Sequence, residues 1–186
     1  MDKKYGPWII KGTKEIYRNK WISLREDSVL TKNNTPEIYA SLTAKPGIGV
    51  LAIDKDNYCH VVKEFKYGVG KEIIGLVTGG VEKNEKPIET AKRELKEELG
   101  IEADEWTYLG IEDPFTAYVN CPHSLFLARK LKFTENNLED FESLTPLKIK
   151  FDELVSKIVN NEITDSHIIT VVFKVKELLN RESKNL

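Results

Sequence analysis

The sequence predicts an α+β domain in which helices flank a central sheet. Three observations lead there. The first eighty or so residues are runs rich in Ile, Tyr, Trp and Val cut by turn residues. One segment, 87–99, then carries helical periodicity between a Pro and a Gly, and two more amphipathic segments close the chain after further strand-like runs. Strands first, one central helix, then more strands and helices describe an α+β, α/β/α layered domain. A chain of 186 residues, 40% of them hydrophobic, is long enough to bury the core of one such domain with a short extension.

Taken in order, Trp8 to Leu42 reads as short strands broken at Asn19, at Lys32-Asn33-Asn34 and at Pro36, an N-terminal antiparallel piece. This places a β extension over 1–44 and the main domain over 45–186. Residues 47–53 (GIGVLAI) and 59–65 (CHVVKEF) are two apolar strands of the central sheet, joined by the turn Asp54-Lys55-Asp56-Asn57. Lys71 to Val77 is the next strand. Gly79-Gly80 is expected to interrupt it, and two such residues permit a close approach to the backbone. A helix runs from Pro87, a favourable first residue, to Leu99, with Gly100 as its stop. Strands follow at 106–110 and 123–131. Helices follow at 151–160 and 165–180, the second with Asp165 as N-cap and Ile168, Ile169, Val172 and Phe173 at helical spacing.

A net charge of -2 from 28 basic and 30 acidic side chains creates no field that would draw the protein onto nucleic acid or a membrane. Any phosphate must be met locally. Cys59 and Cys121 form neither a disulfide framework nor a zinc pattern and read as packed thiols in a reducing cytoplasm. The opening MDKKYGPWII has no apolar core, and the longest apolar run, 47–53, is too short to span a bilayer. A cytoplasmic location is expected.

On the helix at 87–99, Ile88, Ala91, Leu95 and Leu99 share one stripe, and Glu94, Glu97 and Glu98 share an adjoining face. Like charges three and four residues apart cost a few tenths of a kcal/mol per pair. The helix dipole adds roughly 0.3 to 1 kcal/mol against each acid in the last turn. A divalent cation resolves the conflict, because converging carboxylates are the hard oxygen ligands that Mg2+ and Mn2+ prefer. The competing reading is a solvated acidic face, with Arg93 offsetting Glu89 and Glu97.

Residues 79–101, GGVEKNEKPIETAKRELKEELGI, match G-x5-E-x7-R-E-U-x-E-E-x-G-U, where U is bulky and apolar, at Gly79, Glu85, Arg93, Glu94, Leu95, Glu97, Glu98, Gly100 and Ile101. Chance agreement at all nine is below about one in a million. This is the signature of the Nudix hydrolases, and the chain is identified by resemblance as a member. The surrounding order of VLAID, VVKEFKYG, the signature, LFLARKL and NNEITDSHIITVVF is similar to the ADP-ribose pyrophosphatase and nucleoside-diphosphate-sugar hydrolase branch.

The resemblance implies a Nudix α/β/α sandwich with a mixed central sheet and an N-terminal antiparallel strand extension. It implies Mg2+ or Mn2+ held by Glu94, Glu97, Glu98 and the Thr78 carbonyl, with Glu85 and Arg93 paired to orient the loop. The loop LEDFESLTP offers Glu139, Asp140 and Glu142 as general base, and the choice falls on Glu142 first and Glu139 second, with Glu97 as a competitor. Lys66, Tyr67, Gly79 and Gly80 are expected near the substrate. Among rings available for a nucleobase, Trp8, Trp21, Tyr67, Phe115 and Tyr118, the pair in DPFTAYVN, Phe115 and Tyr118, is preferred. Two departures bear on the substrate. Gly75 and Val77 stand where the branch has a pocket-shaping Glu and Pro-Ala-Gly, and Phe65-Lys66-Tyr67 replaces a Tyr-Arg, so Lys66 offers a point charge without the Arg fork.

The expected reaction is metal-dependent hydrolysis of a diphosphate linkage in a nucleoside diphosphate derivative. Alternatives are a Nudix hydrolase of dinucleoside polyphosphates, nucleoside triphosphates or coenzyme A derivatives, and a non-catalytic nucleotide sensor. The retained Glu85, Glu94, Glu97 and Glu98 weigh against the sensor. The strand region Trp8 to Leu42, within the 1–44 extension, resembles a piece that this branch exchanges between subunits, so a homodimer joined through the extension is expected.

Overall fold

Side chains that cap their own turns divide the N-terminal part of the chain into strands. Asn19 Oδ1 accepts from the amides of Trp21 and Ile22, both at 2.8 Å, and Thr31 Oγ1 accepts from those of Asn33 and Thr35, both at 3.2 Å. The computed structural model describes residues 2–134 and 144–184. Its strands are β1 (Lys3–Tyr5), β2 (Trp8–Arg18), β3 (Ile22–Leu30), β4 (Pro36–Ala44), β5 (Gly47–Ile53), β6 (Tyr58–Lys66), β7 (Lys71–Gly75) and β8 (Val77–Gly80). Helix α1 (Pro87–Leu99) precedes β9 (Ile101–Glu112), β10 (Val119–Asn120), β11 (His123–Phe133) and β12 (Leu144–Lys150). Helices α2 (Phe151–Val159) and α3 (Ser166–Lys184) complete the order.

The chain divides into two units: Met1–Pro46 with Asp113–Pro122, and Gly47–Glu112 with His123–Leu186. In the first, β1-β2-β3-β4-β10 form one sheet, antiparallel except where β10 lies parallel to β4, Val119 opposite Leu42. Strands β2 to β4, at 11, 9 and 9 residues, exceed the short runs expected. Irregularities between Ile10 and Gly12 and between Glu15 and Tyr17 let β2 keep its pairing with β3.

In the second unit the sheet order is β12-β6-β5-β11-β9, with β7 on β6 and β8 on β5. The pair β5–β11 is parallel and the others antiparallel, so the sheet is mixed. Every residue of β5 is buried, as a strand covered on both faces requires. Its Ile48, Val50 and Ala52 pack with Ala91 and Leu95 of α1. Its Leu51 and Ile53 pack with Leu154, Ile158, Ile168, Val171, Val172 and Val175 of α2 and α3. The result is a helix, sheet, helix sandwich.

Several expectations are corrected. The single strand over 71–77 is two, because the chain steps at Leu76 from β6 to β5. Gly79 and Gly80 do not interrupt a strand but lie within β8, opposite Ile48 and Gly47. Strand β12 went unread because Pro146 interrupts its pattern. It lies at the sheet edge, where an imino acid is tolerated. The strands at 106–110 and 123–131 extend to 101–112 and 123–133. Asp165 Oδ1 caps α3 by accepting from the Ile168 amide at 3.1 Å. Phe173 faces solvent, however, and Val171 and Val175 take the core positions. No helix among the described residues is long and apolar enough to cross a membrane.

Candidate active site

Helix α1 begins at Pro87, where Glu89 Oε2 accepts from the Lys86 amide at 3.1 Å. It ends at Gly100, whose φ of 62° is the left-handed stop that glycine adopts without a steric cost. Burial of Ala91 and Leu95 fixes its rotation. Glu94 is thereby turned toward β8, where a side chain on Gly79 would overlap its carboxylate. The close backbone approach expected at this glycine is made by an acid of the same motif.

Arg93 gathers the acids. Its Nε lies 3.3 Å from Glu85 Oε1, and its Nη1 lies 2.9 Å from Glu94 Oε1 and 2.8 Å from Glu97 Oε2. Glu85 also accepts from the Glu82 amide at 3.2 Å. The Glu85 carboxyl is held below the usual carboxylate range, first by the neighbouring Thr90 hydroxyl, whose geometry falls short of a full hydrogen bond, and then by Arg93, against the cost of desolvation. Desolvation opposes the Arg93 charge, but Glu85, Glu94 and Glu97 outweigh it and push the guanidinium pKa up. Glu98 departs from its neighbours: it is 5% exposed, whereas the Glu97 side chain is 36% exposed.

Among the described residues no three His, Cys, Asp or Glu side chains already converge on one point. The donor chemistry nevertheless fits a divalent cation. All the groups are hard oxygens, Glu98 is a buried carboxylate in the last turn of α1, and the Glu94 carboxylate occupies the space that a Gly79 side chain would fill.

Lys66, the last residue of β6, donates to Glu64 at 2.5 Å, and Tyr67 beyond it is 94% exposed. Glu139, Asp140 and Glu142 lie outside the described residues. Phe115 and Tyr118 belong to the first unit, with ring centroids 5.7 Å apart. Tyr118 lines a cavity of about 810 Å³ within that unit, together with Trp8, Thr13, Arg25, Asp27 and Tyr39. The buried Asp27 accepts from Thr13 Oγ1 at 2.6 Å and pairs with Arg25 Nε at 3.2 Å. Sequence reasoning passed over Tyr39, Arg25 and Asp27. Their only signal is alternation along β3 and β4, which solvated strands share. Trp21 is exposed with Lys20 Nζ 4.5 Å above its ring, and it does not line this cavity.

Comparison with known proteins adds independent findings. The NUDIX domain model matches residues 43–169, and the nucleoside diphosphate sugar hydrolase N-terminal domain model matches residues 8–41. The methanol dehydrogenase activator of Bacillus methanolicus is 26% identical over 174 residues, 92% of this chain and 94% of its own. The ADP-ribose pyrophosphatase of Bacillus subtilis (strain 168) is 25% identical over 160 residues, 82% and 83% of the two chains. The ADP compounds hydrolase NudE of Escherichia coli (strain K12) is 19% identical over 186 residues, 99% and 100%. A crystal structure of an ADP compounds hydrolase shares the fold, with a TM-score of 0.83 over 97% of this chain and 98% of that one at 18% identity.

Proposed function

The chain belongs to the Nudix family, and on that premise we propose that this hydrolase cleaves the diphosphate linkage of ADP-ribose or a related nucleoside diphosphate sugar. One observation carries the reading: a complete set of signature glutamates on α1, with Glu94 set against Gly79. The relatives named for ADP-ribose and ADP compounds support the substrate class. Water adds across the bridge. One P–O bond breaks, the water oxygen ends on phosphorus, and a nucleoside monophosphate, a phosphorylated partner and a proton are released.

Nudix hydrolases work with divalent cations, and here Mg2+ or Mn2+ would be held by Glu94, Glu97, Glu98 and the Thr78 carbonyl. Such an ion, when bound, neutralises diphosphate charge and lowers the pKa of the attacking water. The protein does the rest. Arg93, anchored on Glu85, orients Glu94 and Glu97. Glu97 or Glu142 accepts the proton from water. Lys66, released from Glu64, meets a phosphate, Tyr67 borders it, and the Gly79-Gly80 backbone leaves room for the substrate. Phe115 and Tyr118 offer the rings on which the nucleobase stacks. The protein works in the cytoplasm as a homodimer joined through the first unit.

The test is a panel of ADP-ribose, nucleoside diphosphate sugars, dinucleoside polyphosphates, nucleoside triphosphates and coenzyme A derivatives with Mg2+, with products identified. Turnover should concentrate on the first two classes, and Glu98→Gln should lower kcat at least about a hundredfold. Absence of turnover, or an undiminished variant, rejects the proposal.

A further inference from the structure

The residues at the ends of β9 and β11 form a cluster that the proposed chemistry leaves unused. Glu112 closes β9 and His123 opens β11, and the two are paired. His123 is also paired with Gly47 of β5, and Gly47 with Gly80 of β8. One rung, Glu112, His123, Gly47, Gly80, thus crosses four strands and ends beside Gly79.

The rung is clamped from the α3 side. Leu125 and Leu127 pack toward α3, so alternation puts His123 on that face, opposite α1. Its imidazole occupies the space that a Gly47 side chain would take. His167 of α3 stacks on it, ring centroids 4.2 Å apart and planes at 34°. His167 Nδ1 lies 2.6 Å from Glu112 Oε2, and Thr170 Oγ1 donates to Glu112 Oε1 at 3.0 Å. The His167 and Glu112 side chains are only 16% and 13% exposed. A partly buried polar set of this kind is tolerated only when its members satisfy one another, and then it holds its parts in one arrangement.

The location explains the need. The chain passes between the two units after Pro46, Glu112 and Pro122, so Gly47, Glu112 and His123 are all strand ends where it departs or returns. Such ends open first unless something ties them. Strand β8 is four residues long and its sheet partner is β5. The placement of Thr78 and Gly79 therefore depends on how firmly the Gly47 end of β5 is held. Displacement of reacting groups by about 1 Å can cost a hundredfold in rate.

We infer that His123 is a positioning residue for the Thr78–Gly80 segment: its ring, stacked on His167 and tied to α3 through Glu112, presses on Gly47 and fixes the strand that receives Glu94. The inference rests on the reading of Gly79 and Glu94 as part of the reaction site. It reaches that site only through the backbone.

The test compares His123→Ala, His123→Phe and His167→Gln in the full chain by hydrogen exchange and by kinetics. Loss of the ring in His123→Ala should speed amide exchange in Val77–Gly80 about tenfold while the 95–99 amides of α1 are unchanged. It should lower kcat about tenfold with KM within about twofold. His123→Phe, which restores a flat ring, should recover most of both, and His167→Gln should fall between. Should His123→Ala not fold, the same exchange measurement on His167→Gln decides. Unchanged β8 exchange overturns the inference. A uniform rise that includes α1, or no recovery in His123→Phe, overturns it equally. If no diphosphate is hydrolysed by the wild type, the proposed reaction fails, while β8 exchange still decides the role of His123.

Discussion

At Arg93 a single guanidinium meets Glu85, Glu94 and Glu97, which alters the energetics that a helical wheel suggests. Repulsion among the acids of α1 is partly relieved within the protein, so the hard oxygen donors and the buried Glu98, more than repulsion alone, are what a cation would satisfy. Arg93→Lys keeps the charge but loses the fork, and we expect kcat to fall about tenfold with the fold intact. Steady-state kinetics with circular dichroism would check it, and a fully active Lys variant would deny Arg93 its orienting part. Gly79→Ala drives a methyl into the Glu94 carboxylate. The expected cost is about 1 to 3 kcal/mol of stability and about a hundredfold in kcat, read by chemical denaturation and by rate. Residues at fixed spacing in the signature were legible because the motif encodes their chemistry directly. The contrast between buried Glu98 and half-exposed Glu97 was not, since it depends on what packs against α1. Arg25, Asp27 and the imidazole pair were hidden for the same reason: their partners lie far away in sequence.

Among the elements, those whose signals are local were read well. Helix α1 sits between Pro87 and Gly100, and the β5–β6 turn uses Asp54, which accepts from the amides of Asp56 at 2.9 Å and Tyr58 at 3.0 Å. Strand β12 and the step from β7 to β8 were missed because each is defined by its neighbour rather than by its own pattern. Asp54 also ties β12 to the hairpin, with Lys148 at 2.8 Å and His60 at 3.2 Å. Burial works against the Asp54 charge, but the hydrogen bonds from Lys148, Tyr58, His60 and Asp56 hold its carboxyl well below the usual range. Burial pushes the His60 imidazole below its ordinary value, only partly opposed by Asp54. The signs agree. An unfolded His takes a proton near pH 6.5 that the folded one resists, so the unfolded chain binds more protons and stability falls as pH drops through that region. The unfolded Asp takes its proton near pH 3.9 while the folded one stays ionised, so a second loss follows below about pH 4. Urea midpoints measured across pH should show both losses in the wild type, and Asp54→Asn should shrink the lower one, leaving the part that Glu85 and other paired carboxylates contribute. Identical pH profiles for the two proteins would count against this assignment. In α1, Leu95→Ala should cost about 2 to 5 kcal/mol, because Leu95 is fully buried against β5.

At the scale of the whole molecule, the layered second unit was legible from element order, while the assembly of the first unit was not. Nothing local in Val119-Asn120 announces a strand, and its pairing with β4 spans more than seventy residues. Strands β2 to β4 of the first unit also expose Ile16, Tyr17 and Ile38. Apolar surface of this kind suits the proposed homodimer. Light scattering should return about twice the 21.3 kDa chain mass, and a monomeric mass would remove the dimer. The late arrival of β10 bears on synthesis. As the polypeptide emerges from the ribosome at about 5 to 20 residues per second, the outer edge of β4 remains bare for several seconds until Val119 and Asn120 appear. A bare edge is a template for pairing with other chains. In the full chain, Asn120→Pro, which places an imino acid in β10 opposite Thr43 of β4, should therefore raise the aggregated fraction in expression trials above that of the wild type.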